Sequence, residues 1–405
     1  MDSAHYEVVV IGGGIHGAGV AQAAAAAGYK TLIIEQQNWA AGTSSRSSKL
    51  LHGGLRYLET AQISLVWQSL QERNRLLKLA PSLAHPLRFH IPIYQSTKRR
   101  PWQLMIGLSI YAVLSGLSSL SQFSWSQPAP PGLKKTGLKK IFSYWDGQTN
   151  DALLTQAVIH SAKKLGADLL CPYQLISAQA INNEKNNISG YSLTLQNNVD
   201  AGANATTDTD MPLHTHTTTK VTADYLVNCT GPWVNTTLAL ISPTPLELPC
   251  ELIAGSHLIL QEKLSDDAFY MESPQDGRAI FLLPWGEHSL LGTTEQTFHG
   301  DPKTICVSQQ ERDYLLQTAS HYFPEQTFTV IDEFSGLRVL PIGNSRAFSR
   351  PRDCILHQAP EHPHLLSLYG GKLTTYRHTA EQVIKLINQQ LGSRKKVADT
   401  RKVRL

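Results

Sequence analysis

The sequence has few cysteines, and none of them is paired in sequence. Its five cysteines are scattered singly between Cys171 and Cys354, and none forms a CxxC pair. An odd number of isolated cysteines argues against a disulfide framework, a zinc site and an iron–sulfur cluster, and it fits a reducing compartment. Residues 1–7 lack the basic and apolar segments of a signal peptide, so we expect a cytoplasmic location.

Long apolar runs are also lacking. An uncharged stretch at residues 104–120 follows three basic residues at 98–100, but glycine and serine interrupt it. Its apolar part is too short to predict a membrane span. Two interpretations stay open: an ordinary helix of a second domain, or a helix lying in a membrane interface with basic residues at its edge.

Outside the C-terminus the positive and negative charges nearly balance, so the chain has little net charge there. The net charge is +4, and residues 394–405 hold six Lys or Arg and one Asp, which is +5, so the remainder is near −1 (4 − 5). This distribution excludes a basic nucleic-acid-binding body. We expect the tail, residues 393–405, to be solvated, with contact to an acidic membrane as the alternative.

The rest of the composition is that of a globular protein. Its 405 residues are 41% hydrophobic and 17% charged, enough for about two or three domains with a sizeable core. A Val-rich strand at residues 6–11, an Ala-rich helix at 14–28 and a strand at 31–35 predict a βαβ unit. Helical spacing of apolar residues predicts a helix at 63–79.

Further elements follow from alternation, periodicity and composition. Strands are predicted at residues 191–195, 221–227, 256–260, 279–284 and 289–293, and a last helix at residues 372–391. Residues 196–220, rich in Asn, Thr and Asp, look like a disordered insertion in a hairpin. His214 and His216 lie in this insertion without a cysteine or carboxylate cluster, so no metal site is predicted.

The motif Gly12-x-Gly14-x-x-Gly17 joins the first predicted strand to the first predicted helix. In a dinucleotide-binding fold the first glycine forms the tight turn, the second admits the pyrophosphate, and the third packs the helix against the strand. The helix N-terminus offers N–H groups to the phosphates. Glu35 ends the second strand, where a carboxylate accepts hydrogen bonds from ribose hydroxyls. Taken alone, these residues fit NAD almost as well as FAD.

A second motif occupies residues 43–59 and reads TSSRSSKLLHGGLRYLE. It concentrates hydroxyl groups, glycines and cations directly after the ribose-binding carboxylate. Small hydroxyl residues at this place suit contacts with a pyrophosphate and with the edge of a flavin ring. An ordinary polar loop is the alternative, but such a loop does not require this combination.

From this motif onward the sequence resembles the FAD-dependent glycerol-3-phosphate dehydrogenases, members of the wider D-amino-acid-oxidase-like flavoprotein superfamily. Four further segments are similar to motifs of that family and occur in the expected order: residues 228–233, 292–295, 335–341 and 369–377. The resemblance spans nearly the whole chain. It implies an α/β fold in which a Rossmann-like FAD-binding domain is interleaved with an antiparallel-sheet substrate domain.

The chain departs from the family pattern at several points. His16 stands where the family usually has Asn, and Glu295 stands where Asp is usual. Residues 196–220 look like an extra insertion. Family members commonly continue into a helical C-terminal domain, which this chain is expected to lack. The oligomeric state and the docking of an electron acceptor are therefore left open.

The resemblance implies FAD-dependent oxidation of sn-glycerol 3-phosphate to dihydroxyacetone phosphate, with hydride transfer to the flavin and electrons passed to a membrane quinone. The predicted catalytic residues are His52, Arg56, Arg338 and Lys372. The predicted substrate contacts are Arg56, Tyr57, Thr293, Arg338, Arg352 and Lys372. The predicted cofactor contacts are Gly12, Gly14, Gly17, Glu35, Thr43, Ser44, Ser45, Lys49, Leu50, Gly231, Gly371, Lys372, Leu373 and Thr374.

The individual roles follow from side-chain chemistry. Arg338 is assigned to the phosphate because a guanidinium binds phosphate oxygens in a bidentate manner; Arg352 is a second candidate, with a surface arginine as the alternative. His52 is assigned as the general base, with a hydrogen bond to the flavin as the alternative. Arg56 is expected to orient the substrate or stabilise an alkoxide. Lys372 is expected to open the last helix, whose N-terminal amides would face the flavin where charge develops.

Two other functions stay open: a related flavin oxidoreductase acting on another 2-hydroxy acid or amine, and a non-catalytic flavin-binding partner protein. The density of cations around the predicted site favours a phosphorylated substrate. The quinone acceptor implies a peripheral position on the inner face of the cytoplasmic membrane. No nucleic-acid partner is expected.

The predicted domains are discontinuous. Residues 1–89, 146–249 and 335–392 are assigned to the FAD-binding domain, and residues 90–145 and 250–334 to the substrate-binding domain.

Overall fold

The structure, a computed structural model, describes residues 4–116, 119–125, 127–198, 217–342 and 353–405, apart from the side chains of Arg56, Thr60 and Ser119. The strands, in chain order, are β1 (Ala4–Ile11), β2 (Thr31–Ile34), β3 (Leu50–Leu51), β4 (Ala84–Tyr94), β5 (Leu138–Thr149), β6 (Asp168–Leu170), β7 (Tyr173–Asn182), β8 (Ile188–Asn197), β9 (Thr218–Asn228), β10 (Ile241–Ser242), β11 (Cys250–Leu260), β12 (Ala268–Glu272), β13 (Ala279–Trp285), β14 (His288–Gly292), β15 (Gln296–Phe298), β16 (Val330–Pro341), β17 (Ile355–His357) and β18 (Leu365–Tyr369). The helices are α1 (Ile15–Ala27), α2 (Ile63–Leu79), α3 (Pro101–Leu114), α4 (Asp151–Lys164), α5 (Val234–Leu238), α6 (Gln309–Tyr322) and α7 (Tyr376–Leu391).

The first of two nine-stranded sheets is built on β1. Its order is β10-β7-β8-β9-β1-β2-β6; β18 also pairs with β9, and β17 pairs with β18. The neighbours β6, β2, β1 and β9 run parallel. Side chains alternate along β1, so Val8 and Val10 pack beneath α1, α4 and α7 while Val9 and Ile11 pack on the opposite face. Burial on both faces explains the continuous apolar run, and the predicted βαβ opening is confirmed.

The second sheet has the order β15-β11-β14-β13-β12-β4-β5-β3, with β16 also paired to β11. Its pairings are antiparallel, except that β12 runs parallel to β4. Helices α2 and α3 pack against β4 and β5, whereas α6 packs against the part of the sheet formed by β11 to β13. The predicted α/β fold with a second, largely antiparallel sheet is confirmed.

Helix α2 has the predicted bounds, but the start predicted for the last helix is wrong. A 3-10 turn, Leu373–Thr375, comes first, and α7 begins only at Tyr376. The chain leaves β18 through Gly370 and Gly371, whose φ values of 73° and 99° lie in the left-handed region. After this sharp turn the chain forms a 3-10 turn, and the regular α-helix starts only after it.

The predicted insertion is shorter than its composition suggested. Strand β8 continues to Asn197 and β9 begins at Thr218, so both edges of residues 196–220 belong to the hairpin. Residues 199–216, with His214 and His216, lie outside the described residues.

The basic tail is docked on the body, so the expectation of a solvated tail is wrong. The amides of Val397 and Ala398 donate to the carbonyl of Ala26, and the amide of Leu405 donates to that of Leu79. Thr400 is buried. The tail binds because it supplies hydrogen-bond donors to the ends of α1 and α2, while most of its cationic side chains stay exposed.

The domain boundaries remain a prediction, although the sheets divide the chain at slightly different places. Residues 50–51, 84–89, 146–149 and 335–341 belong to the second sheet, whereas the sequence-based prediction places them in the FAD-binding domain.

The uncharged stretch begins with helix α3, which has apolar side chains on both its buried and its exposed face. Leu104, Leu108 and Tyr111 are buried in the core beneath it. Trp102, Ile106 and several other apolar side chains of α3 are exposed. Within the described part of the chain, no helix has both the length and the apolar character needed to cross a bilayer.

Candidate active site

A cavity of about 470 Å³ lies where the two sheets meet. Its walls include the carboxyl ends of β1, β2 and β9 together with side chains of β11, β13 and β16. Parallel strands present their carboxyl ends and the following helix N-termini at one edge of a sheet, which is the usual ligand-binding edge of such folds. The lining extends from Ile11 to Thr374, so distant parts of the chain build one site.

The glycine motif closes the turn between β1 and α1. Gly12 has a φ of 106°, and a Cβ there would lie 2.6 Å from the Cys229 carbonyl oxygen at the end of β9. At Gly17 a Cβ would lie 1.8 Å from the Gly12 carbonyl oxygen. Both glycines are therefore required by close approach of backbone, and the N-terminus of α1 opens toward the cavity.

Glu35 lies against this turn. Its carboxylate accepts hydrogen bonds from the amides of Gly13, at 2.7 Å, and Gln37, at 2.8 Å. Burial raises the pKa of this carboxyl, and the bonds from these amides oppose the rise. The side chain lines the cavity beside α1, the position that the ribose-binding role requires.

The loop that follows β2 joins the glycine turn to the second sheet. The Ser44 hydroxyl accepts a hydrogen bond of 2.8 Å from the amide of Ile15, at the first turn of α1. The Thr43 hydroxyl donates to the Leu337 carbonyl on β16 at 2.7 Å. Because of these two bonds, the predicted flavin motif is held between both halves of the site.

Most of the predicted cofactor contacts line the cavity: Gly12, Gly14, Glu35, Thr43, Ser44, Leu50, Gly231, Gly371, Lys372, Leu373 and Thr374. Three of them, Gly17, Ser45 and Lys49, do not. The Lys49 ammonium is buried, lies 2.6 Å from an Asp151 carboxylate oxygen and also donates to the Ser45 carbonyl. Lys49 therefore fixes the loop to α4.

Among the predicted catalytic side chains, His52 and Lys372 meet at the cavity together with Tyr57. The Lys372 ammonium lies 4.0 Å from the centroid of the Tyr57 ring. The His52 amide donates to the Thr374 hydroxyl at 3.2 Å, which ties its segment to the turn before α7. The side chain of Arg56 and all of Arg352 fall outside what the structure describes, so their roles stay predictions.

Arg338 reaches the cavity from β16, next to Thr293. A Cβ on Gly255 of β11 would lie 2.7 Å from both Arg338 Nη2 and the Thr293 hydroxyl, so this glycine gives the two side chains room. Glu295 forms an ion pair of 2.8 Å with Arg278, and its other oxygen lies 3.9 Å from Arg338. Two guanidinium groups thus converge on one carboxylate at the cavity wall.

Sequence comparison decides the family. The model of the family described as "DAO: FAD dependent oxidoreductase" matches residues 7–377. The chain belongs to this family of FAD-dependent oxidoreductases. The resemblance predicted from the motifs is confirmed, and FAD is the cofactor of this enzyme family.

Individual relatives are similar over most of the chain. The aerobic glycerol-3-phosphate dehydrogenase of Escherichia coli (strain K12) is 34% identical, over 93% of this chain and 72% of that protein. The D-erythritol 1-phosphate dehydrogenase of Brucella abortus (strain 2308) is also 34% identical, over the same shares. The structure of a glycerol-3-phosphate dehydrogenase from Bacillus halodurans complexed with FAD matches with a TM-score of 0.74 and 26% identity, over 99% of this chain and 68% of that chain.

The residues of this oxidoreductase fit FAD. Both ring nitrogens of His16 and the indole nitrogen of Trp233 are buried at the cavity without a hydrogen-bond partner in the described parts of the chain. Burying a polar group without a partner costs about 1–3 kcal/mol, so these atoms favour a polar ligand. The N-terminus of α1 and the Glu35 carboxylate line the same cavity, where a dinucleotide would need contacts to its phosphates and a ribose.

Several functional candidates escaped the sequence reasoning. Arg278 and His257 line the cavity. His257 lies in β11 and Arg278 directly precedes β13, and neither belongs to a motif recognised in the sequence. The His257 Nε2 lies 2.9 Å from the Ser48 hydroxyl. Burial, with help from Arg338 and Lys49, lowers the pKa of His257 to about 3, so this imidazole is neutral. His16 was noticed only as a departure from the family residue.

Arg377, part of the motif before α7, has a structural role. Its guanidinium lies 2.6 Å from the Glu72 carboxylate, and both side chains are buried. The pair ties α7 to α2. Among the described residues, no three His, Cys, Asp or Glu side chains are grouped as metal ligands.

Proposed function

We propose that this FAD-dependent oxidoreductase oxidises sn-glycerol 3-phosphate to dihydroxyacetone phosphate and passes the electrons to a membrane quinone. The observation that carries the substrate assignment is the convergence of Arg278 and Arg338 at the wall of the cofactor cavity, on the same side as Thr293. Two guanidinium groups on one wall of the cavity suit the oxygens of a phosphate dianion, which a guanidinium can bind in a bidentate manner.

The proposed mechanism assigns three tasks to side chains at the cavity. Arg338, with Arg278 beside it, binds the phosphate and so fixes the distance of the carbinol carbon from the cofactor. His52 accepts the proton of the hydroxyl group. Lys372, held over the Tyr57 ring, places positive charge near the site where negative charge would develop on the flavin. Bound FAD supplies the two-electron acceptor for the hydride.

A longer polyol phosphate is the second candidate substrate. The Brucella abortus relative named D-erythritol 1-phosphate dehydrogenase is as similar to this chain as the Escherichia coli relative, so identity does not separate the two substrates. Both carry the phosphate and the secondary alcohol that the proposed contacts require.

Anaerobic bleaching of the flavin band tests the substrate. The purified holoenzyme is mixed separately with sn-glycerol 3-phosphate, D-erythritol 1-phosphate, glycerol, 2-hydroxyglutarate and amino acids. We expect rapid bleaching by glycerol 3-phosphate and none by glycerol, which lacks the phosphate. Faster bleaching by erythritol phosphate assigns the second candidate. Bleaching by an unphosphorylated compound alone overturns both, and a firmly bound flavin that nothing bleaches favours a non-catalytic partner protein.

The apolar face of α3 supports a peripheral membrane position. Trp102, Met105, Ile106, Ile110 and Val113 are exposed at spacings that place them on one side of the helix. The exposed cation Arg100 directly precedes the first residue of α3. An uncharged apolar face with a cation at its end is typical of a helix lying in the membrane interface.

Flotation with anionic vesicles tests this position. The triple variant Trp102→Ser, Ile106→Ser, Val113→Ser is expected to lose flotation. A matched control, Leu246→Ser, Ile331→Ser, Val397→Ser, removes three other exposed apolar side chains and is expected to float like the parent protein. Equal flotation of both variants contradicts the contact through α3. Reoxidation of the reduced enzyme by a soluble quinone analogue, compared with oxygen, tests the acceptor.

A further inference from the structure

The segment that carries His52 is held by its backbone from two sides. On one side the His52 amide donates to the Thr374 hydroxyl at 3.2 Å. On the other, the next amide, that of Gly53, donates to the Tyr111 hydroxyl at 2.9 Å and to Asp146 Oδ1 at 3.3 Å. These contacts fix two consecutive peptide groups, one against the cofactor side and one against the second sheet.

The second contact belongs to a buried network. The Tyr111 hydroxyl donates to Asp146 Oδ2 at 2.7 Å, and Arg73 Nη1 donates to Asp146 Oδ1 at 2.8 Å. Arg73 also donates to the Ser115 hydroxyl at 2.6 Å, just after α3. The side chains of Tyr111, Asp146 and Arg73 are all buried. Every polar group named here has a partner, which makes the network rigid.

A buried ion pair is weak support for stability, because the loss of hydration offsets most of the attraction. Asp146 nevertheless lines the active-site cavity, and its carboxylate gathers donors from α2, α3 and the His52 segment. The arrangement therefore points to a role in placing that segment. Placement matters because a displacement of about 1 Å at a reacting group lowers the rate about 100-fold.

We propose that Tyr111 and Asp146 are positioning residues for His52, and that they connect the active site to the surface helix α3. The proposal rests on the proposed function, in which His52 accepts the substrate proton. Tyr111 lies on the buried face of α3, next in sequence to Ile110 on its exposed apolar face. The helix that carries the apolar surface thus also carries the hydroxyl that holds the catalytic segment.

The variant Tyr111→Phe tests this, since it removes the hydroxyl and keeps the ring. We expect kcat to fall about 10- to 100-fold, while KM and FAD affinity stay within about twofold of the parent enzyme. Hydrogen exchange of the amides in residues 50–58 is expected to accelerate. Tyr94→Phe is the matched control, because Tyr94 is also buried and its hydroxyl makes one hydrogen bond, to the Lys134 carbonyl at 2.6 Å. That control is expected to change neither measurement.

Two results overturn the proposal: wild-type kcat per bound flavin in Tyr111→Phe, even with lowered thermal stability, or unchanged exchange in residues 50–58. Asp146→Asn is a second variant, expected to lower kcat in the same way if it folds. The proposed function fails separately if no polyol phosphate bleaches the flavin band of the wild-type holoenzyme. The exchange measurement then still decides whether Tyr111 holds the segment.

Discussion

The ammonium group of Lys372 lies 4.0 Å from the centre of the Tyr57 ring. One residue comes from the turn before α7 and the other from the 3-10 turn after β3, so the contact joins two distant segments across the cavity. Attraction between a cation and an aromatic face is worth about 0.5–2 kcal/mol, more when water is excluded. Tyr57 therefore sets the position of the cation in the proposed mechanism.

Replacing this ring is the first prediction. Tyr57→Leu is expected to lower kcat/KM by about 2- to 30-fold, because the ammonium loses the ring that holds it. Tyr57→Phe is the control, since it keeps the aromatic face and removes only the hydroxyl. Steady-state kinetics with glycerol 3-phosphate measures both. Equal losses in the two variants would assign the effect to the hydroxyl and contradict this role of the ring.

A second prediction concerns the space beside Arg338. In Gly255→Ala the new methyl group would meet both Arg338 and Thr293 at 2.7 Å, so at least one must move. We expect kcat/KM to fall about 10- to 100-fold, with the FAD content unchanged. Gly107→Ala adds the same methyl group at a position of α3 where, apart from the adjoining residues and helix backbone, no atom of the described residues lies within 4 Å, and it should leave activity intact. A fully active Gly255→Ala enzyme would show that neither side chain needs its observed position.

The third prediction concerns cofactor affinity. Because both ring nitrogens of His16 are buried at the cavity without a partner among the described residues, we expect His16→Leu to weaken FAD binding about 5- to 150-fold, the equivalent of about 1–3 kcal/mol. His16→Asn, which restores the residue usual in the family, should keep most of the affinity. Titration of the apoprotein, followed by flavin fluorescence, measures both. Wild-type affinity in His16→Leu would exclude a polar contact from this side chain.

Acid stability gives the fourth prediction. Burial lowers the pKa of His16 to about 4, whereas an unfolded histidine titrates near about 6.5. Between these values the unfolded chain binds more protons than the folded one, so stability is lost as the pH falls from about 6.5 toward 4. The contribution is at most about 1.4 kcal/mol per pH unit. Urea unfolding of the apoprotein at several pH values should show a shallower loss in His16→Asn, and parallel curves would contradict this.

The sequence predicted those parts of the site in which local chemistry decides the structure. The strand β1, the turn at Gly12 and the helix α2 follow from a continuous apolar run, close backbone approach and helical periodicity, all of which are local. The convergence of Arg278 with Arg338 depends on how β13 and β16 are placed within the second sheet, and no spacing along the chain encodes that. The docking of the tail depends on acceptors at Ala26 and Leu79, which a charge count does not show.

One residue of the flavin motif has a structural role and does not contact the cavity. Lys49 belongs to the flavin motif, yet its ammonium serves Asp151 and does not line the cavity. A motif match places a residue type at a position, but it does not tell whether that residue contacts a ligand or a buried carboxylate. The partner, Asp151, stands about 100 residues away and has no signature of its own.

The distance along the chain between the two ends of the cavity has a consequence for biosynthesis. Gly12 and Thr374 line the same cavity. The N-terminal part of the chain leaves the ribosome first. When only the first strands have been synthesised, the residues near Thr374 that complete the cavity are still missing. The complete set of cavity residues therefore exists only after residue 374 has been translated.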